Sequence, residues 1–259
     1  MSYKSKQVKV GPSHVGGGSF AVWAGPCSVE SAEQFSQTAQ YVKSHGASAL
    51  RGGIFKLRTE PSAFQGLGRE AFEIVRQVKS EIGMPYIAEI TDPRQISDLG
   101  EIVDAFQVGS RNMHNYALLK ELAQIDKPIL LKRGFSATFK EWMSSVDYLV
   151  AGGNDQIILC ERGIRTFETA TRNTFDVNAI ALAKLETPFP VLADPSHGTG
   201  QARLVTPVAM AAVAAGCDGL LVEVHPKPSE ALSDGYQSLD FSQFANLMTQ
   251  VGKIRAALA

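Results

Sequence analysis

The sequence predicts an α/β protein built as a single (β/α)8 barrel. Short apolar runs rich in Val, Ile and Leu recur along the 259 residues, and stretches with helical periodicity lie between them. Such alternation, with strands that are apolar along their whole length, is typical of a parallel sheet covered by helices. Eight repeats in a chain of this length favour a closed barrel, and a doubly wound open sheet is the alternative.

The strands are predicted from the apolar runs, taken in chain order. They cover residues 20–24, 49–51, 86–90, 105–108, 129–132, 157–160, 191–193 and 219–224. Because these runs are short and predominantly apolar, we interpret them as strands buried on both faces. A barrel is the arrangement in which eight such strands have no exposed edge.

The helices are predicted from apolar residues that recur at helical spacing between the strands. They cover residues 32–45, 69–82, 93–99, 116–125, 140–151, 177–184, 205–215 and 241–258. Ser31 and Asp240 precede the first and the last helix, where their side chains can accept hydrogen bonds from free backbone N–H groups.

We interpret the chain as one domain, because no Ser/Gly/Pro-rich linker or low-complexity segment divides it. Residues 19–259 form the predicted barrel, and residues 1–18 form a short N-terminal extension. This extension is too short to fold by itself. We expect it to form a hairpin through residues 16–18 that closes the bottom of the barrel.

Composition and charge exclude several classes of protein. With 25 basic and 26 acidic side chains, the formal net charge of −1 provides no overall field for a nucleic acid or a membrane surface. No apolar run has the length of a signal peptide core or of a membrane span. Three widely spaced cysteines argue against a disulfide framework, so we expect a cytoplasmic protein.

Polar and charged residues gather where the predicted strands end, which is where a barrel builds its active site. The basic residues there are Arg51, Lys56, Arg58, Arg111, Lys132, Arg133 and Arg162. Guanidinium groups bind phosphate and carboxylate in bidentate fashion, so this set predicts a pocket for a small, multiply charged anion. The alternative is that these cations pair with strand-end acids, but Glu89 and Glu161 are too few to neutralise them.

A second group of strand-end residues has the chemistry of a metal site: Cys27, His197, Glu223 and Asp234. Thiolate, imidazole and carboxylate together are plausible ligands for a divalent transition metal. The alternative is that Cys27 is a small core residue and His197 satisfies a local hydrogen bond. We expect Cys160 and Cys217 to be core residues, and His225 to support the site from behind.

Six motifs, in order along essentially the whole chain, resemble those of type Iβ 3-deoxy-D-arabino-heptulosonate 7-phosphate (DAHP) synthases, here the short form without a regulatory domain. The motifs are Ala24-Gly25-Pro26-Cys27-Ser28-Val29-Glu30-Ser31, Arg51 with Phe55-Lys56-Leu57-Arg58-Thr59, Gly109-Ser110-Arg111-Asn112-Met113, Leu131-Lys132-Arg133-Gly134, Asp194-Pro195-Ser196-His197-Gly198 and Glu223-Val224-His225-Pro226. The family opens the shikimate pathway, so the resemblance implies biosynthesis of chorismate and the aromatic amino acids.

The resemblance implies a metal-dependent, aldol-like condensation of phosphoenolpyruvate with D-erythrose 4-phosphate that releases phosphate. Cys27, His197, Glu223 and Asp234 match the family's metal ligands, and the implied ion is Mn²⁺, Co²⁺, Fe²⁺, Zn²⁺ or Cu²⁺. The residues that match the phosphoenolpyruvate site are Arg51, Lys56, Ser110, Arg111, Lys132 and Arg162, with Glu89 and Arg133 expected beside them.

The same resemblance places erythrose 4-phosphate against the segment Lys56-Leu57-Arg58-Thr59, in which Leu57 replaces the family's proline. Lys56 is a candidate proton donor to the nascent alkoxide, with His197 and a water held through Cys27 and its partner ligands as alternatives. Members of the family usually form homodimers or homotetramers, and we expect the same here. Because the predicted barrel leaves only 18 leading residues, we expect little inhibition by aromatic amino acids.

Three alternatives to this function remain at this point. A 3-deoxy-D-manno-octulosonate 8-phosphate synthase has a similar barrel, but its loop resembles Lys-Ala-Asn-Arg, whereas Arg58 stands two residues after Lys56 here. A sialic-acid synthase fits the order of the motifs less well. A noncatalytic sensor of phosphorylated ligands would have no need for four residues of metal-ligand type at the active-site face.

Overall fold

The computed structural model describes residues 5–57 and 60–258 and contains a closed barrel of eight parallel strands. The barrel strands are β3 (Ala21–Gly25), β4 (Ala49–Arg51), β5 (Tyr86–Ile90), β6 (Ala105–Val108), β7 (Ile129–Lys132), β8 (Ile157–Glu161), β9 (Val191–Ala193) and β10 (Gly219–Glu223). Each strand pairs with the next one along the chain, and β10 pairs with β3 to close the ring. The predicted fold class is confirmed, and the open sheet is excluded.

Alternate residues of each strand face two separate layers of core. The interior of the barrel contains Trp23, Ile87, Leu130, Ile158 and Leu221, all of them essentially buried. The opposite faces of the strands pack against the surrounding helices in a larger cluster. Since both faces of every strand are covered, the strands are mostly apolar, as the sequence indicated, and their polar residues lie at or near their carboxyl ends.

Helices surround the barrel in the predicted order. They are α1 (Ala32–Ser44), α2 (Ala71–Ile82), α3 (Ile96–Gly100), α4 (Tyr116–Leu122), α5 (Phe139–Ala151), α6 (Val177–Glu186), α7 (Pro195–Thr199), α8 (Ala202–Ala214) and α9 (Phe241–Leu258). The helix α7 has five residues, and a helix of this length has no periodicity that sequence analysis could detect. Short 3₁₀ turns precede α2 and α3, where the sequence predicted continuous helices.

The predicted helix start signals are confirmed by hydrogen bonds. Ser31 Oγ accepts from the backbone N–H of Gln34 at 3.0 Å, and Asp240 Oδ1 accepts from the backbone N–H of Gln243 at 2.8 Å. Each bond satisfies a donor that the first turn of a helix leaves free. These caps fix where α1 and α9 begin.

The N-terminal segment forms a hairpin whose Val8, Val10 and Val15 belong to the same buried cluster as the interior residues of the barrel, but its turn lies elsewhere than predicted. Strands β1 (Val8–Val10) and β2 (Ser13–Val15) pair antiparallel, so the turn falls at residues 11–12 rather than at 16–18. The predicted glycine segment instead makes a second tight turn, closed by a hydrogen bond from Ser19 N to Gly16 O. The sequence obscured this because two glycine-containing turns follow each other closely.

Candidate active site

A cavity of about 350 Å³ opens where the carboxyl ends of the barrel strands meet. Its lining includes eight residues that the sequence predicted for the site: Lys56, Glu89, Ser110, Arg111, Lys132, Arg162, His197 and Asp234. These residues come from the carboxyl ends of seven different strands or from the loops that follow them, and the closed barrel brings these ends to one face. The predicted strand-end pocket is therefore a real cavity, and much of its wall is charged.

Three of the four predicted metal ligands lie together beside this cavity. Ligand atoms of Cys27, Glu223 and Asp234 all lie within 4.8 Å of one another. His197 is next to this group, with Nε2 at 3.4 Å from Glu223 Oε1. One thiol, one imidazole and two carboxylates at these separations fit a divalent transition metal, so the donor set is suitable for the ion that the sequence predicted.

Cys27 is positioned by a close approach of β3 to β4. Gly25 has a φ of 154°, and a Cβ atom there would lie 2.1 Å from the carbonyl oxygen of Arg51. Only glycine allows this contact. Arg51 Nη1 donates to Pro26 O at 2.7 Å and to Glu223 Oε1 at 3.0 Å, so it links the turn before Cys27 to the end of β10.

Buried charges define the electrostatics around Cys27. Burial and the nearby Glu223 carboxylate raise the pKa of the Cys27 thiol to about 11. Lys56 opposes this, because its ammonium group lies 3.0 Å from Cys27 Sγ and favours the thiolate. Burial by itself lowers the pKa of Arg51, but Glu223 and the other acidic groups nearby together raise it overall and keep the guanidinium charged.

His197 is held by the short helix α7. Asp194 is the N-cap of this helix, and its carboxylate accepts from the backbone N–H of His197 at 2.9 Å. Asp194 Oδ2 also lies 2.8 Å from His197 Nδ1 and accepts from Lys132 Nζ at 2.6 Å. Burial raises the pKa of Asp194, but His197 and Lys132, with the hydrogen bonds from His197, together hold it well below its usual range. The arrangement leaves Nε2 of His197 directed toward Glu223.

Asp234 has a left-handed backbone, with φ at 51° and ψ at 32°. It is the one non-glycine residue with positive φ within residues 5–57 and 60–258. The following 3₁₀ turn (Gly235–Gln237) supports it, and Gln237 N donates to Asp234 O at 3.2 Å. Burial raises the pKa of Asp234, but His197, Arg172 and Lys56, with a hydrogen bond from Cys27, together lower it below its usual range.

The anion-binding side of the cavity is built around an aromatic ring. The guanidinium groups of Arg111, Arg162 and Arg165 lie 5.5, 4.9 and 4.5 Å from the centroid of the Phe135 ring. Arg162 is buried, and burial lowers its pKa to about 10, which still leaves it charged at neutral pH. Arg111 and Arg162 line the cavity together with Phe135, so they concentrate positive charge at this part of the wall, and Arg165 lies near the same ring.

Glu89 and Ser110 lie on neighbouring strand ends of the same wall. A Cβ at Gly109 would lie 2.1 Å from Glu89 Oε1, so the glycine before Ser110 makes room for the carboxylate. Gln107 Nε2 donates to Glu89 Oε2 at 3.1 Å. The glycine and the glutamine together fix the direction of this acid.

Some predicted residues are placed differently or cannot be placed. Arg133 is not among the residues lining the cavity, because its Nη1 is engaged by Glu161 at 3.0 Å and by Asp176 at 2.7 Å. For this residue the pairing with strand-end acids, which the sequence left as the alternative, is what the structure contains. Arg58 and Thr59, which were predicted to meet the second substrate, lie outside the described residues.

The remaining cysteines and His225 lie away from the cavity lining. Cys160 and Cys217 are buried and free, as expected for core residues. His225 Nε2 is 3.4 Å from Glu30 Oε2, and its Nδ1 accepts from the backbone N–H of Lys227 at 3.0 Å.

No helix in the described part of the chain is both long and apolar enough to cross a membrane.

Sequence reasoning missed several residues of the site. Phe135, Arg172 and Tyr236 line the cavity, and the buried Gln237 lies behind it. Arg172 Nη1 is 3.5 Å from Asp234 Oδ2 and donates to Gln237 Oε1 at 2.7 Å. Each lies in a loop after a strand, beyond the strand end itself, and the rule that such loops build barrel active sites was the signal that could have found them.

Comparison with known proteins shows similarity along most of the chain. The sequence profile of the DAHP synthetase I family matches residues 5–258. A phospho-2-dehydro-3-deoxyheptonate aldolase of Thermotoga maritima is 45% identical over 97% of this chain and 74% of its own length. A 2-dehydro-3-deoxyphosphooctonate aldolase of Legionella pneumophila (strain Corby) is 29% identical over 87% of this chain and 88% of its own.

Solved structures give the same result. The crystal structure of phospho-2-dehydro-3-deoxyheptonate aldolase (DAHP synthase) from Thermotoga maritima superimposes with a TM-score of 0.95 at 44% identity, covering 98% of this chain and 75% of that one. A truncated form of 3-deoxy-D-arabino-heptulosonate 7-phosphate synthase from Thermotoga maritima gives a TM-score of 0.92 at 42% identity, covering 98% and 94%. With a family match across almost its whole length, the chain belongs to the DAHP synthetase I family.

Proposed function

We propose that this chain is a DAHP synthase that condenses phosphoenolpyruvate with D-erythrose 4-phosphate and water to give 3-deoxy-D-arabino-heptulosonate 7-phosphate and inorganic phosphate. One observation carries the proposal: a thiol and two carboxylates within 4.8 Å of one another adjoin a cavity lined by Lys56, Arg111, Lys132 and Arg162. A transition-metal site beside a polycationic pocket suits an aldehyde acceptor and a dianionic or trianionic donor.

The metal would be held by Cys27, Glu223 and Asp234, with His197 as the fourth ligand. This set mixes a soft thiolate with harder donors, which suits Mn²⁺, Fe²⁺, Co²⁺, Zn²⁺ or Cu²⁺ better than Mg²⁺. When bound, the ion supplies Lewis-acid polarisation of the aldehyde oxygen of the acceptor. Asp194 supports this assignment, since it holds His197 through Nδ1 at 2.8 Å and leaves Nε2 toward the ligand group.

Phosphoenolpyruvate needs cations for both its carboxylate and its phosphate. Arg111 and Arg162 lie on one side of the cavity against Phe135, and Lys132 lies nearby on β7. We assign the donor's anionic groups to these three residues, with Ser110 supplying a hydroxyl donor and Arg51 a fixed charge behind Cys27. Bidentate guanidinium contacts also fix the orientation of the planar enol phosphate.

In the proposed reaction, the methylene carbon C3 of phosphoenolpyruvate attacks C1 of erythrose 4-phosphate. The C3–C1 bond forms while the enol double bond is consumed, and positive charge develops at C2 of the donor. Water adds to C2 and loses a proton, and the resulting hemiketal phosphate collapses by C–O cleavage to release phosphate. Lys56 would deliver a proton to the new alkoxide, and Glu89 across the cavity would accept one from the attacking water.

Erythrose 4-phosphate would enter with its phosphate toward the loop after β4. Leu57 and Glu60, which flank Arg58 and Thr59, line the cavity, so this loop borders the same space. We assign the distal phosphate to Arg58 and Thr59 on the resemblance of this segment to the family's loop. The length of the acceptor is then set by the distance between this loop and the metal ligands.

The decisive experiment is a substrate panel with the purified, metal-loaded enzyme. We expect phosphate release and loss of the enol-phosphate absorbance with phosphoenolpyruvate plus erythrose 4-phosphate, and little turnover with arabinose 5-phosphate. Enzyme stripped with a chelator is the control, and its activity should return on adding metal. Faster turnover of arabinose 5-phosphate would instead assign the chain as the eight-carbon synthase.

Three broader predictions accompany this function and are tested separately. We expect a homodimer or homotetramer, which light scattering of the pure protein measures. We expect a cytoplasmic location, which fractionation of the source cells measures. We also expect that millimolar phenylalanine, tyrosine or tryptophan leaves most of the activity of this chain intact, and strong inhibition by any of them would contradict this.

A further inference from the structure

Gln237 connects two charged groups beside the proposed metal site. Its side chain is fully buried, and its Nε2 donates to Glu223 Oε2 at 2.6 Å. Its Oε1 accepts from Arg172 Nη1 at 2.7 Å. An amide has one accepting and one donating end. Both neighbours are satisfied only when the NH₂ group faces the carboxylate of Glu223 and the oxygen faces the guanidinium of Arg172.

The backbone around Gln237 is anchored to the strand that carries Glu223. Leu239 N donates to Glu223 O at 2.9 Å, and His225 N donates to Leu239 O at 2.9 Å. On its other side, Gln237 N donates to Asp234 O at 3.2 Å within the 3₁₀ turn. The amide is therefore fixed relative to both carboxylates of the ligand group.

The two oxygens of Glu223 have different partners. Oε1 accepts from Arg51 at 3.0 Å and lies 3.4 Å from His197 Nε2, whereas Oε2 accepts from Gln237. Contacts at both oxygens fix the plane of the carboxylate. Each oxygen still has a lone pair for an ion, so these hydrogen bonds orient the ligand without consuming it.

We propose that Gln237 is a positioning residue for the metal centre, which holds Glu223 in its ligating orientation and is itself held by Arg172. This inference rests on the proposed function, because it requires that Glu223 bind the metal. Without the amide, Oε2 is a buried carboxylate oxygen that has lost its donor. The carboxylate then turns toward another partner, and the affinity for metal falls.

The test is equilibrium binding of Mn²⁺ to chelator-stripped enzyme, with free Mn²⁺ read from its electron paramagnetic resonance signal. Gln237→Met keeps the length of the side chain but removes both hydrogen bonds. We expect it to weaken Mn²⁺ binding about 10- to 100-fold. Its activity at limiting Mn²⁺ should fall in the same proportion, and a large excess of Mn²⁺ should restore most of it.

Gln107→Met is the matched control. Gln107 is also buried and donates to a cavity carboxylate, at 3.1 Å from Glu89 Oε2, but Glu89 is not a proposed metal ligand. We expect its Mn²⁺ affinity to equal that of the wild type. If Gln237→Met does not fold, as judged by thermal unfolding in chelator, Gln237→Asn replaces it, because the shorter amide cannot span both partners.

The outcomes distinguish the positioning role of Gln237 from the proposed metal-dependent function. Wild-type enzyme that binds Mn²⁺, with Gln237 variants that bind it equally tightly, overturns the positioning role and leaves the proposed function intact. Equal weakening in the Gln107 control overturns it too, because the effect would then be general. Wild-type enzyme that binds no divalent transition metal removes the proposed metal-dependent function, and the inference with it.

Discussion

Lys56 Nζ lies 3.0 Å from Cys27 Sγ and 3.1 Å from the carbonyl oxygen of Cys27. The contact joins a residue assigned to substrate with a residue assigned to metal, although they lie 29 positions apart in sequence. Burial lowers the pKa of Lys56, but the neighbouring Cys27 and Glu89 raise it overall, so the amine stays charged. A charged amine here stabilises the thiolate form that a metal requires.

Replacing Cys27 should therefore abolish metal-dependent turnover. We expect Cys27→Ala to lose nearly all activity, because a soft ligand is removed and the remaining donors hold the ion poorly. Steady-state rates at increasing Mn²⁺ measure this. Cys217→Ala is the matched control, since Cys217 is a buried cysteine outside the site, and it should keep wild-type metal dependence. Full activity of the Cys27 variant, or of exhaustively chelated enzyme, would contradict the metal assignment.

The position of Arg162 against Phe135 predicts how a mutation changes the binding of phosphoenolpyruvate. Arg162→Lys keeps a cation but loses the bidentate contact and the stacking on Phe135. A lost charge-assisted hydrogen bond costs about 1.5–3 kcal/mol, so KM for phosphoenolpyruvate should rise by roughly 10- to 100-fold. Arg76→Lys, at a surface ion pair with Glu101, should leave KM unchanged. An unaltered KM in Arg162→Lys would remove this residue from the donor site.

The loop after β4 predicts the choice of acceptor. Arg58→Ala should raise KM for erythrose 4-phosphate while KM for phosphoenolpyruvate changes little, because the two substrates use different cations. Lysine should substitute poorly, since it cannot make the bidentate contact with a phosphate. Initial rates with each substrate varied in turn measure the split. Parallel increases in both KM values would argue that Arg58 acts on the loop as a whole.

Arg133 should matter for stability more than for substrate. Arg133→Met leaves Glu161 buried without its partner, and breaking a buried pair costs about 3–5 kcal/mol. Urea unfolding near neutral pH measures this loss. KM for phosphoenolpyruvate should stay close to the wild-type value in the fraction that folds, whereas a large rise in KM without a loss of stability would place Arg133 in the site after all.

The stability of the Arg133→Met variant should depend on pH. Burial raises the pKa of Glu161, and Arg133 normally lowers it again. Removing Arg133 therefore raises the folded-state pKa further above the unfolded value. A carboxyl with a raised folded-state pKa destabilises the folded form increasingly as pH rises through that pKa. Arg133→Met should lose more stability relative to wild type at about pH 8 than at about pH 5, and unfolding at both values checks the sign.

The strands were predictable because burial on both faces leaves a simple signal. Five of the eight predicted strands have the bounds that the structure gives them, for example Tyr86–Ile90 and Ile129–Lys132. The helices differ more at their ends, because caps and 3₁₀ turns depend on single side chains such as Asp92 and Gln95 before α3. The turn of the N-terminal hairpin was placed wrongly for a similar local reason.

Whether a site residue could be predicted depended on its position relative to the strand ends. Residues at strand ends, such as Cys27, Lys56 and His197, could be predicted because parallel strands end at one face. The same rule points to the loops that contain Arg172 and Gln237, but no periodicity in these loops shows which of their side chains reach the site. Arg133 shows the converse, because its position at a strand end says nothing about which way its side chain turns.

The sequence alone determined the barrel, the chemistry of the candidate ligands and the family, because apolar periodicity and residue type are local properties. The tertiary structure decided which charges meet. Whether an arginine faces the cavity, as Arg162 does, or a carboxylate beneath it, as Arg133 does, depends on the distances between loops from different strands. The energies of buried ion pairs depend on those distances and on the exclusion of water, and neither exists before the chain folds.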